Sequence, residues 1–445
     1  VPESGKKLVP RIPKEYIDVN LEPVEAAAPR PPEEARRMET GKPRVYGYRW
    51  IVLLSFVLIA LMTQVLWITF APITSAAAEF YKTSDLQIGL LSMVFMVVYI
   101  IMVLPSAWVI DTWGFKAAVG IGGGLSAVFA LTRGIFAADF TIVFISQVGI
   151  AVGQPFVIGA ITKIAARWFP AEERATASGL GTLALYLGPL AAMLLSPFLI
   201  LRLGLPRMLL VYGIATAVGW TVFVALAREH PPTPSGKDER ALMLDGLKSM
   251  LRRRDFIFLL VLFFVGLGMF NSVSTWVEDI IRPRGFSITQ AGMLGGLMLI
   301  GGIVGAVVVP LLSDTLRRRK PFLVLALAGL LPGLLGITFA TGYGALLVSG
   351  FVFGFFLLSA GPIGFQYGAE ITHPAPEGTS NSLLLVMGQI SGIVFILAMD
   401  ALKSPATKSM TASLLGLAGM TVVCIALATA LNESPIKTEK GQSPE

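Results

Sequence analysis

A single cysteine, Cys424, in 445 residues excludes disulfide frameworks and paired-cysteine metal sites. Two histidines, His230 and His373, are too few for a zinc-hydrolase helix of the HExxH kind. No GxxxxGK[ST] loop occurs, so the chain lacks the phosphate cradle of a nucleotide hydrolase. These absences predict no enzyme activity, no metal and no cofactor. Charge is scarce as well: 14% of residues are Asp, Glu, Lys or Arg, against about 25% in soluble proteins. In its place stands a 54% hydrophobic content and a mean hydropathy of +0.74. A soluble domain of this length could not bury that much apolar surface in one core. A chain with lipid as its solvent can. The net charge of +7 does not indicate nucleic acid. The basic residues sit in short clusters between apolar runs, such as Arg252-Arg253-Arg254 and Arg317-Arg318-Arg319-Lys320, the pattern of membrane loops.

Twelve apolar runs come near the ~20 residues a helix needs to cross a bilayer. They lie at 46–77, 86–110, 115–137, 140–167, 173–200, 207–227, 255–280, 287–312, 321–341, 343–369, 379–402 and 410–431. The expected fold is an all-α membrane protein with twelve transmembrane helices in two pseudo-symmetric six-helix bundles, 46–228 and 255–431, joined by a linker at 229–254. Within the linker, ALMLDGLKSMLRRR is amphipathic and reads as a short helix on the membrane surface. Residues 1–45 are polar, hold no helical or strand period and lack a signal-peptide core. They read as a cytosolic tail on which a protein partner could dock, and 432–445 as a second cytosolic tail. Most lysines and arginines fall in segments on the side of the two termini. The positive-inside rule then puts both termini in the cytoplasm; the expected location is the plasma membrane.

Polar groups within a span are costly unless they are paired or line a water-filled path. Gln64 and Trp67 share one face of the first helix, as Gln147 and Gln154 share one face of the fourth. Asn271, Ser274, Thr275 and Glu278 form a stripe on the seventh. Tyr186 lies in the fifth, Gln366 and Tyr367 in the tenth, and Gln389 near the middle of the eleventh. Each also has a plain structural reading as an inter-helix hydrogen bond. Arg133, near the end of the third helix, is expected to snorkel to the headgroups, and Trp276 to serve as an interface or packing tryptophan. No Asp or Glu falls at mid-span. An aromatic face with neutral amides suits an organic cation, which cation–π attraction holds without a carboxylate.

The two halves repeat a loop pattern. AWVIDTWGFK ends the second run, with Asp111, Gly114 and Lys116; PLLSDTLRRRK ends the eighth, with Asp314, Arg318 and Arg319. Parallel six-helix repeats are one transporter architecture. The first of these loops, together with RWFPAEERATASG, resembles the major facilitator superfamily, in which the loop residues act at a gate. More narrowly, YRWIVLLSF, LWITFAPI, GLLSMVFMVVYI, GQPFVIGAITKIAARWF and PEGTSNSLLLVMGQISGI resemble the feline leukaemia virus subgroup C receptor-related family, linked to choline, related amines and haem. That resemblance implies solute-binding roles for Trp67, Gln154 and Gln389. Asn271 stands where that family has a tyrosine. The expected function is a secondary transporter moving a small organic solute such as a choline-like cation. The alternatives are a proton- or sodium-coupled exporter of a hydrophobic solute, or a non-transporting membrane subunit docked through its N-terminal tail.

Overall fold

The computed structural model describes residues 46–231, 247–373 and 377–434. The expected tails at 1–45 and 435–445, and most of the linker, lie outside the described residues. Of the expected surface helix, Leu247–Met250 is described as helical.

Among the described residues, twelve helices are long and apolar enough to span a membrane: Arg49–Tyr81, Asp85–Thr112, Phe115–Ile135, Phe140–Trp168, Glu172–Leu203, Leu205–Leu226, Arg254–Thr275, Ile288–Leu316, Lys320–Phe339, Tyr343–Thr372, Gly378–Ala401 and Thr411–Thr429. They are called the first to twelfth spans below. The face where the first span begins and the twelfth ends is the near face, and its opposite is the far face. The first six spans pack mainly on one another, as do the last six. The halves meet along two seams, the fifth span against the eighth and the second against the eleventh.

Small residues set these seams, because dispersion and close packing replace the hydrophobic effect inside a membrane. On the eighth span, Gly295 leaves the space that the Met193 side chain of the fifth span fills. Gly392 of the eleventh span does the same for Met96 of the second and Asn271 of the seventh. Within the second half, Gly354 lets the tenth span lie directly on the Met298 carbonyl of the eighth.

The repeat is visible in the caps. The second and eighth spans both open with a Ser-x-x-Gln capping box. The Ser84 hydroxyl accepts from the Gln87 amide at 3.3 Å while the Gln87 side chain accepts from the Ser84 N–H at 3.0 Å. Ser287 and Gln290 make the same pair of bonds at 3.3 and 2.9 Å.

Three sequence expectations need correction. The first span is not continuous. Its helix ends at Ile68, and a short 3₁₀ turn at Ala71–Ile73 precedes a second helix, Thr74–Tyr81. Pro72 explains the break, since it has no N–H to donate and its ring clashes with the carbonyl four residues back. Arg133 does not snorkel, because it is fully buried. Its guanidinium donates to Gln147 Oε1 at 2.6 Å and to the Leu66 carbonyl at 3.5 Å, and lies 5.5 Å from the centre of the Phe70 ring. Gln147 also donates to that carbonyl, at 3.1 Å. The two side chains clamp the last turn before the break, which holds Arg133 inside. The seventh span stops at Thr275 rather than 280, with a separate turn at Val277–Ile281.

Gly354→Val would force a branched side chain onto the Met298 carbonyl, an overpacking cost of about 1–3 kcal/mol. Its thermal unfolding midpoint should fall clearly below that of wild type, while Gly416→Ala, where nothing lies within 4 Å of an added Cβ, should not lower it. Equal midpoints for Gly354→Val and wild type would refute the packing account.

Candidate functional site

Trp67 is enclosed, 8% exposed, one residue before the first helix ends. Its carbonyl accepts from Ser92 Oγ of the second span at 3.4 Å. One turn further along the second span, Met96 packs on Gly392, against which Asn271 also lies. Asn271 Nδ2 donates to the Gly388 carbonyl at 3.2 Å, beside Gln389, which is half-buried. Ser92 and Met96 are four residues apart, about 6 Å of rise. The second span thus brings Trp67 and the Asn271–Gln389 region to successive levels of the seam.

Gln64 is buried below Trp67 and faces Gly188 of the fifth span; its Nε2 has no hydrogen-bond partner. A buried donor left unpaired is costly. Gln154 is buried on the fourth span, where neighbouring Gly153 packs on Gly122 of the third. No described contact joins Gln154 to Trp67 or Asn271. Of the seventh-span stripe, Ser274 and Thr275 are buried without side-chain partners, and Glu278 Oε2 accepts from the Ser75 N–H across the halves at 2.8 Å. Trp276 is fully buried at the seam, its ring against Gly89 and its Nε1 donating to the Ile396 carbonyl at 3.1 Å. It packs the two halves together and takes no place at the headgroups, because both its faces are already covered.

Charge ties the halves together at the far face. Asp85 of the first half pairs with Arg282 at 2.5 Å and Lys403 at 2.8 Å, both from the second half. Asp279 pairs with the same two bases, each at 2.8 Å. Among the described residues, the ion pairs that join the two halves all lie here. Burial pushes the Asp279 carboxyl up to about 7 in spite of its two bases, and burial also raises Glu278. Burial opposes the charge on Lys403 and Arg282, but the surrounding acids outweigh it and raise both.

The near face holds the repeated loop motif. Asp111 pairs with Lys163 at 3.0 Å, and Asp314 with Arg319, which also binds Glu370 at 3.1 Å. Each of these pairs stays within one half. Lys116 contributes its backbone N–H, and Arg318 is exposed while its carbonyl accepts from Ser313 Oγ at 2.6 Å. Arg319 rather than Arg318 is therefore the partner of Asp314. Gly114 adopts φ +89, and a side chain there would collide with Glu229.

Two acids that sequence reasoning missed complete this face. The Glu229 carboxylate accepts from the N–H groups of Phe115 and Lys116 at 3.0 and 2.6 Å, and pairs with Arg167. Glu433 accepts from the N–H groups of Arg319 and Lys320 at 2.6 and 3.2 Å. Each acid lies just past the last span of its half and caps the half's third span at the positive end of the helix dipole. The signal was an acid at the same offset after the sixth and twelfth runs.

The Major Facilitator Superfamily profile matches residues 52–396. The chain belongs to that superfamily. Solute carrier family 49 member A3 of Danio rerio is 33% identical over 399 residues, 85% of this chain and 83% of that protein. The protein named choline/ethanolamine transporter FLVCR1 of Felis catus is 30% identical over 381 residues, 80% of this chain and 68% of that protein. A bacterial homologue of the human lysosomal transporter Spinster, solved inward-facing and unoccupied, shares the fold with a TM-score of 0.68 at 18% identity, over 90% of this chain and 100% of that one. The nucleoside transporter NupG gives a TM-score of 0.67 at 14% identity, over 85% of this chain and 98% of that one. The protein is thus an integral membrane transporter of the major facilitator fold.

Asp279 sets an expected pH response. In the closed far face it keeps its proton up to about pH 7; hydrated in an opened one it would lose it near pH 4. The closed arrangement binds more protons between those values. Closure should therefore strengthen as pH falls and lose that gain as pH rises through the raised value. Spin–spin distances between labels at the exposed far-face residues Glu79 and Thr407 would report it. Asp279→Asn should flatten the response, and a far face that opens on acidification would contradict it.

Proposed function

We propose that this protein moves a small organic cation of the choline-like amine class by alternating access between its two halves, driven by the solute's own gradient. The observation that carries the reading is the indole of Trp67, enclosed beside a helix break one turn of the second span from Asn271. A desolvated aromatic face attracts a quaternary ammonium by about 2 kcal/mol and needs no carboxylate. Among the described residues, acidic side chains lie at span ends or in the connections. Gln64, Gln154, Asn271 and Gln389 supply neutral amides for a hydroxyl or second polar group. The FLVCR1 relative, named a choline/ethanolamine transporter, agrees with this chemistry.

In this reading the far-face ion cluster is one gate. The near-face pairs Asp111–Lys163 and Asp314–Arg319 belong to the other, with Gly114, Lys116 and Arg318 at the same turns. In the same reading the near face, which carries the basic clusters, is cytoplasmic, and the membrane is the plasma membrane. The bundles are 46–228 and 255–431, the connection between them is cytosolic, and the N-terminal tail offers a surface for a protein partner.

Trp67→Ala should weaken choline binding by about 1–2 kcal/mol, while Trp67→Phe keeps part of it. Equilibrium binding to the reconstituted protein decides this; equal affinity for Trp67→Ala and wild type would remove the cation–π contact from the reading. Uptake into proteoliposomes at fixed solute gradient should persist after a protonophore, and its complete loss would point to the proton-coupled alternative. Tags at residues 20, 240 and 440 should label from the cytoplasm in intact cells, and labelling of residue 240 from outside would reverse the orientation.

A further inference from the structure

Below the amides of the candidate site lies a cavity of about 130 Å³ that the cation reading does not use. The seventh, ninth, tenth and eleventh spans wall it, and Tyr186 of the fifth span, from the other half, closes it. Apart from the Tyr186 hydroxyl, the side chains that line it are those of Leu, Phe and Ala. Its position is set by helix register. Leu267 precedes Asn271 by four residues, and Leu385 precedes Gln389 by four, so each pair shares a face. The cavity therefore opens one helical turn from the two amides.

Two glycines show that this room is kept. Gly266 and Gly361 sit inside helices, where glycine is less favourable than alanine. Gly354 and Gly392 admit a neighbouring helix, but nothing lies within 4 Å of a Cβ added at Gly266 or Gly361. Both open onto the cavity. Close helix packing does not account for them, whereas an occupant would. The back wall is formed by Leu323, Ala326, Leu327 and Leu330 of the ninth span, all buried, so that wall gives no entry from lipid.

We propose that this cavity receives an apolar arm of the transported solute, which makes the substrate an amphipathic organic cation with its head at Trp67 and the amides. The inference rests on the cation reading for the head and adds the arm. An apolar hole of about 150 Å³ lined by aliphatic and aromatic side chains takes a benzene-sized guest, so the arm has roughly the bulk of four to six carbons. Because Tyr186 comes from the first half and the other walls from the second, a bound arm would touch both moving bodies, as a transported group must.

The test is equilibrium binding of n-alkyltrimethylammonium ions, methyl through hexyl, and of the matching 1-alkanols, to the full chain in nanodiscs. In wild type, affinity should rise up to about fourfold per methylene, the burial value of one CH₂, until the cavity is full. At Gly361 and Gly266 an added Cβ meets nothing within 4 Å, so Gly361→Leu and, independently, Gly266→Leu place their side chains in the room, and either should flatten that rise and cost the hexyl ion far more than the tetramethyl ion. No rise in wild type, or the same rise in both filled variants, overturns the arm. A phospholipid chain that co-purifies with wild type, is lost in Gly361→Leu and resists displacement by the hexyl ion also overturns it, since the cavity would then be a lipid site. If the ammonium ions bind no better than their alkanols and Trp67→Ala changes nothing, the cation reading fails. The alkanol series, with its loss in Gly361→Leu, still decides the arm.

Discussion

Asp85, Asp279, Arg282 and Lys403 form a single cluster at the far face that ties one half of the molecule to the other. Such a cluster is stable only because each charge has a partner, since taking an unpaired ion out of water costs several kcal/mol. Asp85 is supplied by the start of the second span, and Arg282 and Lys403 by connections of the second half. The cluster therefore exists only when the second span lies against the eleventh and the break after Thr275 lies over the first span. Glycine packing below it, at Gly392 and Gly295, becomes available on the same condition. Ion pairs above and small residues below hold the far face together.

The near face is organised differently. Among the described residues the ion pairs shown there lie inside one half, and its two capping acids, Glu229 and Glu433, each turn back from the end of a six-span unit to the N-terminus of that unit's third span. A helix N-terminus presents free N–H groups and a positive dipole end, so an acid there stiffens each unit without linking it to the other. Ion pairs that join the units at one face and stay within each unit at the other suit a rocking transporter.

Between the faces, polar and apolar recognition lie side by side. The broken first span presents Trp67 where Arg133 and Gln147 hold the adjacent Leu66 carbonyl, so the break has its own buried clamp. Satisfaction of backbone groups inside a membrane decides whether such irregular segments persist. The amides of the seventh and eleventh spans continue within one turn into a wall of Leu and Phe. A solute with both a polar head and an apolar arm matches that change of lining.

The order of apolar runs, the Pro and Gly that punctuate them and the repeated Asp-containing loops settle the fold class, the number of spans and the superfamily. These features are local: a span's length and hydropathy are read directly from consecutive residues, and most of the predicted boundaries fall within a few residues of the helices. Trp67, Gln64, Asn271, Gln154 and Gln389 were also legible as candidates, because polar and aromatic side chains in a span are conspicuous. What no run of residues could show is which side chain meets which. Arg133 reads as a snorkelling residue until Gln147 and the Leu66 carbonyl are seen beside it. Trp276 reads equally as an interface or a packing tryptophan until Gly89 is found against its ring. Glu229 and Glu433 look like ordinary acids in connecting segments until the third and ninth spans arrive next to them. Each of these assignments depends on partners 14 to 187 residues away in the chain. Packing alone brings those partners together, so only the tertiary structure decided them.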